Sequence, residues 1–172
     1  MSQELRYLDA AEVDQISDRL SEVVVRINRS AAVVKGGRRF SFSSLSVCGN
    51  REGVVGLGYG KGRQVPSAIE KAARDARKHL IRVPLTESGS IPHEVEASYC
   101  GSLLRMIPAS SGTGIIAGAS ARSVCEMAGI KNILTKSYGS NNPVNLVKAT
   151  LLALSQLRTR AEVAELRGVS ID

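Results

Sequence analysis

Residues 33–82 read VVKGGRRFSFSSLSVCGNREGVVGLGYGKGRQVPSAIEKAARDARKHLIR, and the pattern of this stretch decides the N-terminal fold. RFSFSSLSVCG has strand composition, GNREG from Gly49 to Gly53 supplies turn chemistry, and VVGLGYG returns as the second strand of a hairpin. Phe40 and Phe42 share one parity while Leu45 and Val47 share the other. A period-two strand cannot hold both pairs against one core, so the spacing predicts a β-bulge at Ser43–Ser44, with both phenylalanines packed inside. The return strand carries Gly53, Gly56, Gly58, Gly60 and Gly62. Glycine weakens a strand, so this density predicts close approach of another backbone or of a ligand. Pro66 then suits a first helical turn, and Ile69, Ala72, Ala73, Ala76 and Leu80 mark a helix face that packs on the sheet. Lys71, Arg74, Lys78 and Arg82 recur along another face of the same helix. As a merely solvated stripe they would be tied down by Glu70–Arg74 pairing.

Working outward, EVVVRINR (22–29) reads as a strand with Val23, Val25 and Ile27 on one face. SAAVVKGGRR (30–39) reads as a flexible loop between antiparallel strands. Residues 1–21 are acidic and read as a flexible tail with a nascent helical turn. Residues 22–85 thus form a β-β-β-α domain, and the Pro, Gly and Ser content of residues 86–92 marks a linker. Residues 93–160 read β-β-α-β-α: a hairpin turning at Cys100–Gly101, a helix from Ile115 to Ala128 stopped by Gly129, the strand NILTK, and a helix opened by Asn142–Pro143. Residues 161–172 form a tail with a short helix ending at Gly168. The fold class is α+β, in two small units.

Charge is unevenly distributed. Residues 26–82 hold 13 of the 23 Lys and Arg against only Glu52, Glu70 and Asp75, a net +10, while residues 1–25 sum to −4. So local a positive field favours a polyanion, either nucleic acid or an anionic membrane surface. The membrane reading is weaker, because the basic helix carries mostly alanine on its apolar side rather than large anchors. No apolar run approaches the roughly 20 residues that span a bilayer, and the start of the chain lacks the basic and apolar regions of a secretory signal, which places the protein in the cytoplasm.

Catalytic and cofactor chemistry finds little support. A Walker loop needs Gly where Val55 stands and Ser or Thr where Gly62 stands, and a dinucleotide fingerprint needs Gly in place of Lys61. SSGTG (110–114) could nest an anion, but helix entry plus tight interdomain packing is the commoner explanation of such a loop. His79 and His93 have no partner visible in sequence, and Cys48, Cys100 and Cys125 lack metal-ligand spacing, so they read as buried free thiols. No catalytic residue, metal ligand or cofactor is assigned. Aromatics make up 3% of the chain and Trp is absent, so stacking of many unpaired bases is not the main mode; Phe40 and Phe42 at strand spacing could imitate a stacking platform, but core packing is the better reading. Recognition of folded RNA by shape and phosphate contact fits better. The candidate RNA-binding residues are Arg29, Lys35, Gly36, Gly37, Arg38 and Arg39 in the loop, Arg51 in the turn, Lys61 and Arg63 before the helix, and Lys71, Arg74 and Lys78 on it.

Residues 35–80, from KGGRRFSFSSLSVCGN to ARKHL, resemble the bacterial small-subunit ribosomal protein five family, and PASSGTGIIAGASARSVCEMAGIKNILTKSYGSNNPVNLVKATLLAL continues the likeness. The resemblance implies a first domain similar to the double-stranded-RNA-binding fold and a second, α/β domain with a left-handed βαβ crossover. It further implies binding to small-subunit ribosomal RNA, contacts with small-subunit proteins four and eight, messenger RNA nearby, and a part in translational accuracy. On this basis the loop from Arg29 to Arg38 reaches RNA beside the spectinomycin site, with a departure from the family pattern at Ser30-Ala31-Ala32, and Gly114 and Arg122 match positions at the protein-four interface. A free-standing adaptor for double-stranded RNA and a phosphate-using enzyme built on GLGYGKG are the competing readings.

Overall fold

The computed structural model describes residues 7–9, 12, 13, 16 and 19–168. The first sheet is antiparallel and runs in the order β1 (Ser21–Val34), β2 (Gly37–Gly49), β3 (Val54–Gly62), β4 (Leu80–Arg82), with helix α1 (Val65–Ala76) between the last two strands. The second is mixed, in the order β5 (Val95–Tyr99), β6 (Ser102–Pro108), β8 (Ile133–Gly139), β7 (Ile115–Ile116). Helix α2 (Ala119–Ala128) joins the parallel pair β7 and β8, and α3 (Pro143–Ser155) and α4 (Arg160–Arg167) follow. Among the described residues no helix is long and apolar enough to cross a membrane.

The parity slip in β2 has a different cause from a bulge in that strand. From Ser44 to Gly49 both faces are buried. Leu45 and Val47 enter a core shared with Val55, Ile81, Val124, Met127, Val147 and Leu154, so this face of the first sheet packs directly on the second half of the chain. Ser44, Ser46 and Cys48 face the other way, opposite Gly60, Gly58 and Gly56, toward α1. A sheet covered on both sides needs no alternation, and β2 pairs β3 without interruption.

The bulge lies in β1 instead, where the register shifts between Val24 and Arg26. Val23 aligns with Val47 before it and Arg26 with Leu45 after it, so the extra residue turns the following side chains over. Ile27 therefore leaves the face of Val23, contrary to its expected place, and is exposed.

α1 ends at Ala76, four residues short of the expected Leu80. Lys78 N–H donates to Asp75 O and His79 N–H to Ala76 O, closing the helix. The chain then extends into β4, which places Leu80 and Ile81 in two different clusters on opposite faces of the sheet. In the second half, Ile115 and Ile116 form β7 rather than the first turn of a helix, because two β-branched residues precede Gly118, which is the N-cap. Asn142 caps α3 by accepting from Val144 N–H at 3.2 Å, and Gly129 and Gly168 end their helices with φ of 86° and 64°.

Part of the expected flexible tail (residues 1–6, 10, 11, 14, 15, 17 and 18) lies outside the described residues. At the described positions the segment is docked: Leu8, Val13, Ile16 and Leu20 pack against Cys48, Val54, Ala76 and Leu80. Leu8 N–H also donates to Leu80 O at 2.9 Å, covering the free edge of β4.

Candidate nucleic-acid interface

The segment expected as a flexible loop is an ordered hairpin. β1 and β2 stay paired to Val34 and Gly37, and Lys35–Gly36 makes the turn, with Gly36 at φ 90°, a conformation that side chains resist. β3 stops at Gly62, opposite Phe42. The five rungs from Ser30–Ser41 to Val34–Gly37 therefore have no third strand beneath them. They form a two-stranded arm roughly 17 Å long, at ~3.4 Å per residue. Two-stranded ribbons are marginal in water, and here Val33 is 82% exposed.

Arg29, Lys35, Arg38 and Arg39 are all exposed on this arm or at its root, and no Asp or Glu occurs between Glu22 and Glu52. Among the described residues none of the four has an ion-pair partner: the ion pairs are Asp75–His79, Glu12–Arg82 and Glu94–Arg105. Lys61 and Arg63 stand where β3 ends and α1 begins, at the base of the arm, and Lys71 and Arg74 are exposed on α1. The Glu70–Arg74 pairing expected of a plain solvated stripe is likewise not among those ion pairs.

Two candidates fall outside this group. Lys78 lies past the helix end, in the turn before β4. Arg51 sits in the β2–β3 turn, separated from the arm tip by the 13 residues of β2, roughly 40 Å at ~3.4 Å per residue. That turn is fixed by the second half of the chain. Arg51 N–H donates to Met127 O at 3.0 Å and Gly53 N–H to Ala128 O at 2.9 Å, satisfying carbonyls at the C-terminus of α2.

The glycine-rich strand is filled by helix. A Cβ on Gly58 would stand 2.9 Å from the carbonyl carbon of Ala72 and closer still to Ala72 O and Ala76 N, and Gly60 and Gly62 meet Ala68 in the same way. Glycines at every second position of β3 thus face alanines one turn apart on α1. The GLGYGKG backbone is consumed by this contact, and Asp75 reaches across to accept from Tyr59 N–H at 3.0 Å. No phosphate cradle remains there.

The N-terminal domain of ribosomal protein S5 matches residues 20–84, and its C-terminal domain matches residues 97–167. The chain belongs to the ribosomal protein S5 family. The small ribosomal subunit protein uS5 of Rhodopirellula baltica is 58% identical over 153 residues, covering 89% of this chain and 86% of that protein. Its counterpart in Shewanella amazonensis is 49% identical over 161 residues, covering 94% and 95%. That of Buchnera aphidicola is 51% identical over 154 residues, covering 90% and 93%. Membership makes the chain a non-enzymatic structural constituent of the small, cytoplasmic ribosomal subunit and removes the enzyme reading.

Within this S5 fold, Arg122 lines a cleft of about 490 Å³ at the start of α2, together with Ile116, Thr135 and Lys136, and Gly114 is not part of its lining. Gly114 takes φ 76°, and its N–H and that of Gly112 donate to Asn132 Oδ1, each at 3.1 Å. Asn132 is buried, and its amide donates to Ser88 O at 2.9 Å, so one side chain ties the SSGTG loop to the expected linker. Asn132 escaped the sequence reading, because nothing local distinguishes it from a turn residue. Its signal is long-range.

His79 and His93 have structural partners: His79 Nδ1 lies 2.9 Å from Asp75 O, and His93 Nε2 accepts from Arg158 N–H at 3.1 Å. Burial pushes the Cys48 thiol up to about 11 and the Cys125 thiol up to about 12, which keeps both neutral. Cys100 departs from the expected buried thiol. It is exposed in the β5–β6 turn, at φ 52°.

Two exposed aromatics of the first sheet, Phe40 and Tyr59, each stand beside a cation. The Arg29 guanidinium lies 4.8 Å from the centroid of Phe40, and Lys61 Nζ lies 5.8 Å from that of Tyr59, on the opposite face of the sheet. Phe40 was expected in the core. It falls on the arm, where no core lies beneath it.

Proposed function

We propose that the β1–β2 arm, its base at Lys61 and Arg63, and the exposed flank of α1 with Lys71 and Arg74 clamp small-subunit ribosomal RNA. The observation that carries this is the arm itself: five unsupported rungs, four unpaired cations and no acid from residue 23 to residue 51. Such an arm repels itself electrostatically and buries almost nothing, and a polyanion relieves both costs. Each phosphate it neutralises releases counterions, which makes binding steeply salt-dependent. Gly36 and Gly37 let the backbone approach closely, since a Cβ at either position meets nothing in the protein within 4 Å. Arg51 and Lys78 serve, in this reading, a second contact at the far end of the sheet. The C-terminal half packs on neighbouring proteins, with Gly114 and Arg122 toward small-subunit protein four and further contact with protein eight. From there the protein supports the messenger entry path and translational accuracy.

The test is the salt dependence of binding to small-subunit ribosomal RNA. Lys35→Ala combined with Arg38→Ala should flatten the slope of log affinity against log salt by up to about two units while the fold survives. An unchanged slope refutes the clamp.

A further inference from the structure

We propose that the Phe40 ring, backed by Arg29, is a stacking platform for a single unpaired nucleobase of the bound RNA. This rests on the RNA-binding reading above and adds to it a recognition chemistry that phosphate contacts do not supply.

Four observations converge on the ring. Phe40 is 43% exposed, in a chain with only two phenylalanines. Its exposure follows from topology: it pairs with Ala31, two residues beyond the point where β3 ends opposite Phe42, so neither α1 nor the second sheet can cover it. The β1 bulge sets the cation beside it. Without the register shift between Val24 and Arg26, Arg29 would project from the other face of the ribbon; with it, the guanidinium rests 4.8 Å from the ring centroid. Finally, the surroundings carry four cations and no acid, which suits an anionic chain presenting flat, π-faced groups and opposes a basic or neutral protein surface. A base laid on the ring gains a stacking contact that depends far less on salt than the phosphate contacts do. Tyr59 with Lys61 lies on the opposite face, toward the second half of the chain, and does not share the platform.

The absence of Trp from the chain makes the test direct. Phe40→Trp introduces a lone indole at the platform of the full-length protein. With small-subunit ribosomal RNA its emission should be strongly quenched, and the quenching should persist for bound protein as salt rises. Heparin, a polyanion without bases, should bind the arm and leave the emission nearly unchanged. Equal quenching by heparin and RNA, or none by RNA that binds, overturns the stack.

A second variant reads affinity. Phe40→Leu keeps an apolar residue suited to the ribbon and removes the π-face. It should weaken RNA binding roughly tenfold at fixed salt, with the salt slope unchanged. Unchanged affinity, or a loss that arrives only with a flatter slope, overturns the platform while leaving the phosphate clamp standing. If the parent protein itself fails to bind the RNA, the RNA-binding reading falls and takes the platform with it.

Discussion

Gly58→Ala is the smallest change that tests how α1 is held on the sheet, and so how the flank carrying Lys71 and Arg74 is positioned. The new methyl would stand 2.9 Å from the carbonyl carbon of Ala72 and nearer still to Ala72 O and Ala76 N. Ordinary non-bonded contact needs ~3.5–4.0 Å, and the tightest contact is to Ala72 O, so the helix must retreat by roughly 1.5 Å. The obstacle is helix backbone, which cannot rotate aside as a side chain can. Retreat also lifts Ala68, Ala72 and Ala76, all fully buried, from the sheet together. Overpacking costs ~1–3 kcal/mol, and a backbone-on-backbone clash belongs at about 3 kcal/mol. At ~2–4 °C per kcal/mol for a chain of this size, Tm should fall by about 6–12 °C. Thermal melts followed by circular dichroism measure this. Gly37→Ala is the matched control, since a Cβ there meets nothing within 4 Å, and it should shift Tm by no more than about 2 °C. A Gly58→Ala protein that melts within about 2 °C of the parent would refute the argument that these glycines exist for helix packing.

Three further outcomes follow from the same structure. Asn132→Leu removes the acceptor for two backbone N–H groups and the donor to Ser88 O, and should cost about 2–3 kcal/mol in urea unfolding, one buried unmet group being worth ~1–3 kcal/mol. In native protein, a thiol-alkylating reagent should label Cys100 alone, with Cys48 and Cys125 reacting only after unfolding; labelling of either buried thiol at a comparable rate contradicts the packing. Because burial raises the Cys125 thiol to about 12 in the folded state, the fold holds that proton more tightly than the unfolded chain does. Its stabilising contribution is therefore complete below the ordinary thiol range and is lost as pH climbs from about 9 toward about 12, so Cys125→Ala should show a shallower alkaline decline in urea midpoint than the parent.

Local signals in the sequence located most of the strands and helices. Asn142–Pro143, Gly129 and Gly168 act through their own backbone and could be placed from composition, as could the Cys100–Gly101 turn; the glycines of β3 announced a close approach but left open whether a helix or a ligand makes it. What stayed hidden depends on distant partners. The parity of Phe40, Phe42, Leu45 and Val47 looked like a local irregularity because the sheet's second cover, made by residues near 124–154, is remote in sequence. The true bulge, at Val25, leaves a run of valines that reads equally well in either register. Ala31–Val34 looked like loop beside Gly36–Gly37, yet a two-residue turn extends the ribbon through them. β4 was absorbed into α1 because Leu80 happens to continue the helical period, although the backbone has already left the helix at Ala76. The basic residues were legible as a set. Their division into an arm cluster and the distant Arg51 and Lys78 required the register of β2.

The most direct test of the RNA clamp is ultraviolet crosslinking of intact small subunits, with mass-spectrometric mapping of the RNA-linked peptides of this protein. The arm at residues 29–39, its base at 61–63 and the helix flank at 71–74 should carry most of the links. Links confined to residues 95–167, with the arm unmodified, would contradict it.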